Sequence, residues 1–131
     1  MLRKIVNKLG LTFVARAARQ LAFELRVWWA DRNGRRKARR LPAQNLKLHV
    51  GCGPKLKQGW INVDLVDGAD IALDLRRPLP FADGSCEIVY AEHFFEHLDY
   101  PNDADAFLSE CHRVLRRGGG CDLPCLTWCQ R

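Results

Sequence analysis

The segment Leu46-Lys47-Leu48-His49-Val50 runs directly into Gly51-Cys52-Gly53-Pro54, and this junction constrains the fold more than any other part of the chain. The mostly apolar pentapeptide suits a strand, and two glycines spaced one apart end it in a turn where a ligand can approach backbone without meeting a Cβ. Counting Lys47 to Val50 as the first, three further strand candidates follow: Trp60 to Leu65, Asp70 to Leu75 and Glu87 to Tyr90. Pro78, Pro80 and Ala82-Asp83-Gly84-Ser85 punctuate the interval before the last of them. A helix is then expected from Pro101-Asn102-Asp103, because Phe107, Leu108, Cys111, Val114 and Leu115 keep a helical period until Gly118-Gly119-Gly120 stops it. Strands followed by helix indicate an α/β fold with a parallel sheet.

By itself a G-x-G turn is a weak signal. Asp64 strengthens it, since a carboxylate at the end of the second strand candidate can accept both hydroxyls of a ribose. A dinucleotide fingerprint requires a third glycine and an acid about 20 residues further on. Here position 56 is Leu, and Asp64 follows Gly53 by 11 residues. The dinucleotide reading fails on both counts.

With these residues in view, the chain resembles the class I S-adenosylmethionine-dependent methyltransferases, in particular the small bacterial group called methyltransferase type 11. The resemblance runs from about Leu46 to Gly119 and rests on Val50-Gly51-Cys52-Gly53-Pro54, Gly59-Trp60-Ile61-Asn62-Val63-Asp64-Leu65, Asp74-Leu75, Leu79-Pro80-Phe81-Ala82-Asp83-Gly84-Ser85, Glu87-Ile88-Val89-Tyr90-Ala91-Glu92-His93 and Arg113-Val114-Leu115-Arg116-Arg117-Gly118-Gly119. It implies a Rossmann-like fold and S-adenosyl-L-methionine as cofactor. Gly51, Cys52 and Gly53 would line the methionine end, Asp64 would hold the ribose, and Asp74 and Leu75 would face the adenine. Ala91, Glu92 and His93 would lie near the methyl group and the acceptor, with His93 the candidate to take the acceptor's proton. The acceptor, a small molecule, glycan or lipid, is not specified. His49 stands where the group commonly has an acid, and the short interval before Asp64 leaves room for only a very short first helix.

A competing pattern overlaps this one. His93-Phe94-Phe95-Glu96-His97 fits H-x-x-E-H, in which two histidines on one helix face bind zinc and the glutamate acts as base, but no remote third ligand is evident. Cys121, Cys125 and Cys129 recur every four residues, again without a fourth ligand beside them. The expectation is therefore no metal. Asp103, Asp105, Glu110, His112, Arg113 and Arg116 are read as a solvated helix face.

Charge divides the chain. Residues 1 to 40 hold 12 Lys and Arg against 2 acids, whereas residues 41 to 131 hold 9 against 13. A basic surface that would track nucleic acid is absent from the body, so no specific nucleic-acid partner is expected. On a helix of about 100° per residue, Leu2, Ile5, Val6, Leu9 and Phe13 fall on one side, with Lys4, Lys8, Arg19 and Arg26 roughly opposite. Trp28 and Trp29 close this basic amphipathic helix, and residues 31–40 read as a like-charged linker. Two uses of the arm stand open: attachment to an anionic membrane surface, or packing on its own domain or a partner. Arg16, Arg19, Glu24 and Arg26 break any apolar run of spanning or secretory type, which points to a cytoplasmic, membrane-peripheral chain with reduced cysteines.

The pattern fades after Gly119. The organisation read from the sequence is an arm at 1–40, an N-terminal half of a cofactor-binding domain at 41–120 with an incomplete parallel sheet, and an aberrant tail at 121–131, as a truncation or frameshift would produce. Such a chain could also be an inactive cofactor-binding fragment tethered by its arm.

Overall fold

The structure is a computed structural model, and it describes residues 10–92, 94, 98 and 101–122. Six elements follow one another: α1 (Thr12–Ala38), β1 (Leu46–Val50), β2 (Ile61–Val63), β3 (Cys86–Ala91), α2 (Asn102–Val114) and β4 (Leu115–Asp122). The strands form one sheet in the order β2-β1-β3-β4, and every pairing is parallel. This is the Rossmann-like α/β arrangement anticipated from the order of strands and helix.

β1 lies between β2 and β3 and is buried at Leu46, Leu48, His49 and Val50, as a central parallel strand covered on both faces must be. Leu48, Val50, Val63, Leu73, Val89 and Val114 are at most 1% exposed and form the heart of the core. Parallel neighbours need a crossover, normally a helix. Residues 51–60 between β1 and β2 make that crossover with turns alone.

α2 buries Ala104, Phe107, Cys111 and Val114, steps of three, four and three residues that keep one stripe inward. Asp103 and Asp105 in its first turn and His112 and Arg113 in its last complement the helix dipole. Arg113 is not solvated as its helix position suggested. It donates to Glu110 at 2.7 and 3.0 Å, to the carbonyls of Leu79 and Phe81 at 2.9 Å each, and to Asp83 at 2.6 Å. Glu110 in turn accepts the Leu79 N–H at 2.8 Å. This clamp joins α2 to the turn that leads into β3, and it holds the Glu110 carboxyl below the usual range, chiefly through the hydrogen bond from Arg113.

Three sequence expectations change. Residues 31–38 are helix rather than linker, because Asp31, Gly34 and Ala38 extend the stripe begun by Val27 and are buried. The strand expected over Asp70 to Leu75 reduces to a single bridge between Val63 and Ile71. Its backbone is claimed elsewhere, since Asp74 N–H donates to Asp31 at 3.1 Å. The glycines at 118–120 do not stop a helix: α2 ends at Val114, and they lie inside β4. Leu115 pairs with Cys86 and Gly120 with Ile88, so β4 carries extra residues there, and Gly118 at φ 76° accommodates the irregularity. Of the tail, the backbone of Cys121 and Asp122 closes β4; residues 123–131 lie outside the described residues, as do Leu2, Lys4, Ile5, Val6, Lys8 and Leu9 of the arm.

Candidate functional site

At the C-terminal ends of β1 and β3 lies a cleft of about 430 Å³, within the size range of small-molecule pockets. Gly51, Cys52, Gly53, Pro54 and Lys55 form one side, Glu92 and Phe94 another, and His49 and Asp64 also reach it. The position follows from topology. From β1 the chain moves to β2 on one side and later to β3 on the other, and open parallel sheets bind ligands at the crevice where strand order reverses in this way.

The loop is shaped by its glycines and by β2. Gly51 has φ 65° and Gly53 φ 51°, a left-handed conformation unfavourable to residues bearing a Cβ. A Cβ on Gly51 would stand 2.8 Å from that of Phe94, so this wall of the cleft requires glycine. The Gly51 N–H donates to the Val63 carbonyl at 2.8 Å, and the Gly53 N–H to Asp64 Oδ2 at 2.8 Å. Asp64 Oδ1 accepts the Leu65 N–H at 2.6 Å. Both amides are therefore turned inward, and no helix N-terminus follows the loop, so the usual means of holding a pyrophosphate are missing. The structure thus adds a further reason against a dinucleotide.

Beneath the loop, Asn62 acts as a hub. Its Nδ2 donates to Asp70 at 2.8 Å and to the carbonyls of Lys57 and Trp60 at 3.1 and 3.3 Å, while its N–H also reaches Asp70 at 2.8 Å. That fixes the amide orientation, leaving Oδ1 to accept from Lys57 N–H at 2.8 Å and from His49 Nδ1 at 3.1 Å. His49 accordingly carries its proton on Nδ1 when neutral, with Nε2 an acceptor. The His49 ring is 5.2 Å from that of Tyr90, and Lys57 Nζ sits 4.2 Å over the same Tyr90 ring. Tyr90 donates its hydroxyl proton to Glu92 at 3.0 Å.

Cys52 is buried, and its thiol is pushed up, first by that burial and then by the charge of Asp64. A protonated, buried thiol is a lining group and not a nucleophile.

Of the residues singled out in the sequence, the structure gathers Gly51, Cys52, Gly53, Asp64 and Glu92 around this cleft. Ala91 is buried at the end of β3, one residue short of it. Asp74 and Leu75 do not line it. The Asp74 carboxylate is bound by Arg76 at 2.8 and 2.9 Å, which holds it below the usual range, and Leu75 belongs to the core. His93, Glu96 and His97, and with them the zinc pattern, lie outside the described residues. Sequence reasoning overlooked His49, Lys55 and Phe94 as lining residues. The signal for His49 was its place on the same strand, two residues before Gly51.

A parallel α/β sheet with a ligand-sized cleft at its switch point, edged by a strand-end aspartate, defines a Rossmann-like α/β domain. The family model described as methyltransferase domain matches residues 48–121, more than half of the chain, and the chain belongs to that family. Comparison with curated proteins and with solved structures finds no match.

Proposed function

We propose that the cleft binds S-adenosyl-L-methionine and that the chain transfers its methyl group to a small-molecule, glycan or lipid acceptor. The observation that carries this reading is Asp64, a carboxylate bridging the end of β2 to the glycine loop of β1 while lining the cleft. An ionised carboxylate offers about four lone-pair sites. Two are taken by backbone N–H groups, leaving two for the vicinal hydroxyls of a ribose. An added Cβ at Gly53 would meet nothing within 4 Å, so the backbone there is open to a ligand. Cys52 and Phe94 supply apolar surface, and Gly51 and Gly53 form the wall assigned to the methionine end.

When bound, the cofactor supplies an electrophilic methyl group on a sulfonium. The chain's part is to position that group in line with an acceptor and to exclude water. Glu92, at the cleft and beside the end of β3, and His93, next in sequence, are the groups assigned to the acceptor side. His93 takes the acceptor's proton in this reading.

Calorimetric titration with S-adenosylhomocysteine tests the reading. The chain should bind it, and Asp64→Asn should lower affinity by about tenfold or more, the usual scale for hydrogen bonds to a charged group. No heat from the unmodified chain at millimolar ligand overturns it.

A further inference from the structure

A second cleft, of about 370 Å³, lies along the last third of α1. Arg32, Arg35, Arg36, Arg39 and Arg77 line it together with Trp28, against the single carboxylate of Asp31. Asp31 is fully buried and accepts from Arg35 Nε at 2.8 Å and Arg77 Nη1 at 2.5 Å, while Arg35 Nη1 donates to the Pro78 carbonyl at 2.8 Å. Two guanidinium groups are thereby held in place. Arg35 Nη2 remains as the buried side-chain donor without a partner among the described residues. Arg32 stacks 5.4 Å over the Trp28 ring, and neither it nor Arg36 or Arg39 has an acidic partner among the described residues.

The face of α1 that carries this charge carries something else further out. Val14, Leu21, Leu25, Trp28, Arg32, Arg36 and Arg39 follow at steps of seven, four, three, four, four and three residues, which keep them on one side of a helix. The first four are exposed by 50% or more, and Trp29 beside them by 63%. The buried stripe of Val27, Asp31, Gly34 and Ala38 lies on a different side. One continuous exposed face thus passes from apolar and aromatic to cationic, and no helix among the described residues is long and apolar enough to cross a membrane.

We infer that this face docks the protein on an anionic lipid bilayer, with headgroup phosphates in the arginine cleft and the apolar residues of α1 at the headgroup boundary. The charge decides the occupant. An apolar protein partner would not call for five arginines against one aspartate, whereas phosphodiesters on a surface satisfy paired guanidinium groups and leave the flanking aromatic residues at the depth they prefer. The inference does not depend on the cofactor reading.

Flotation of the full chain with vesicles tests it. The chain should float with phosphatidylcholine vesicles containing phosphatidylserine and not with phosphatidylcholine alone, with a blue-shifted tryptophan emission, and should be released by high salt. The double variant Arg36→Glu/Arg39→Glu should lower partitioning by more than about tenfold, and Leu21→Ser/Trp29→Ser should lower it as well. All four positions are exposed, so thermal unfolding should not move. The control Arg19→Glu/Arg26→Glu, on another side of α1, should have much the smaller effect. Equal loss in the control, equal binding to neutral vesicles, or binding of soluble glycerophosphoserine without vesicle binding would each overturn the inference. So would self-association abolished by Trp29→Ser in a chain that ignores vesicles.

Discussion

Asp31 on the buried side of α1 and Asn62 beneath the glycine loop are both buried polar residues that tie separate stretches of chain together, but they do so over different distances and with different chemistry. Asn62 is neutral and reaches no further than His49, 13 residues away. Asp31 is a carboxylate whose partners include Asp74 and Arg77, 43 and 46 residues along the chain. The hydrogen bonds that shape the loop beside the cleft are therefore local and mutually satisfied. The docking of α1 depends on one buried charge and on the close approach of two backbones. The two regions should accordingly fail separately.

The sharpest break is at Gly34, where an added Cβ would lie 1.8 Å from the Ala72 carbonyl oxygen. Backbone cannot yield as a side chain does, so Gly34→Val should cost about 3 kcal/mol and appear as a lowered midpoint in thermal unfolding. Binding of S-adenosylhomocysteine, measured below that midpoint, should survive. If affinity collapsed together with stability, the two regions would be one cooperative unit.

Asn62→Ala strikes the other region. It strands the Lys57 and His49 donors and removes the side-chain donor to the Lys57 and Trp60 carbonyls, while the backbone N–H of residue 62 still reaches Asp70, and should cost about 2 kcal/mol. Here the ligand affinity should fall as well, because Gly53 and Asp64 are positioned by the strand that Asn62 anchors. Retained affinity would show that the loop holds its shape without the hub.

Glu110 gives the smallest effect and extends the comparison to a third tie. Its carboxyl is held low by Arg113, so near the ordinary glutamate range the unfolded chain binds more protons than the folded one. The stability this contributes is present at neutral pH and is lost as pH falls through and below about 4. Asp74, held low by Arg76, adds in the same direction. Glu110→Gln should cost about 1 kcal/mol at pH 7 and should flatten the acid side of the stability profile. A parallel downward shift with unchanged slope would mean that the pair contributes no pH dependence.

The same contrast explains what could be read in advance. β1 and β3 were legible because Leu48, Val50, Val89 and Ala91 form apolar runs of strand length, and α2 because its apolar residues recur at three and four. Gly51, Gly53 and Asp64 were legible because their separation is short and their chemistry local. Residues 31–38 were not. Locally they are a run of like charge, and only remote partners, Ala72 for Gly34 and Arg77 for Asp31, make them a docked helix. Asp70 to Leu75 failed for the complementary reason: its alternation suits a strand, but the Asp74 N–H that could have joined a ladder is taken by Asp31. Arg113 looked like surface because nothing near it in sequence indicates that Leu79, Phe81 and Asp83 surround it.

The anchoring of α1 has one more consequence. The helix is 27 residues long, yet burial begins only at Val27, so residues 12–26 project by roughly 22 Å at about 1.5 Å per residue. A free segment of that length is a marginal helix in water, because the first turn is costly and each later residue adds little. The docked end supplies that first turn already made. Helical order in the projecting part is thus propagated outward from Asp31 and Gly34, and its amides should exchange with solvent in a gradient, slowest next to the anchor and fastest toward Thr12.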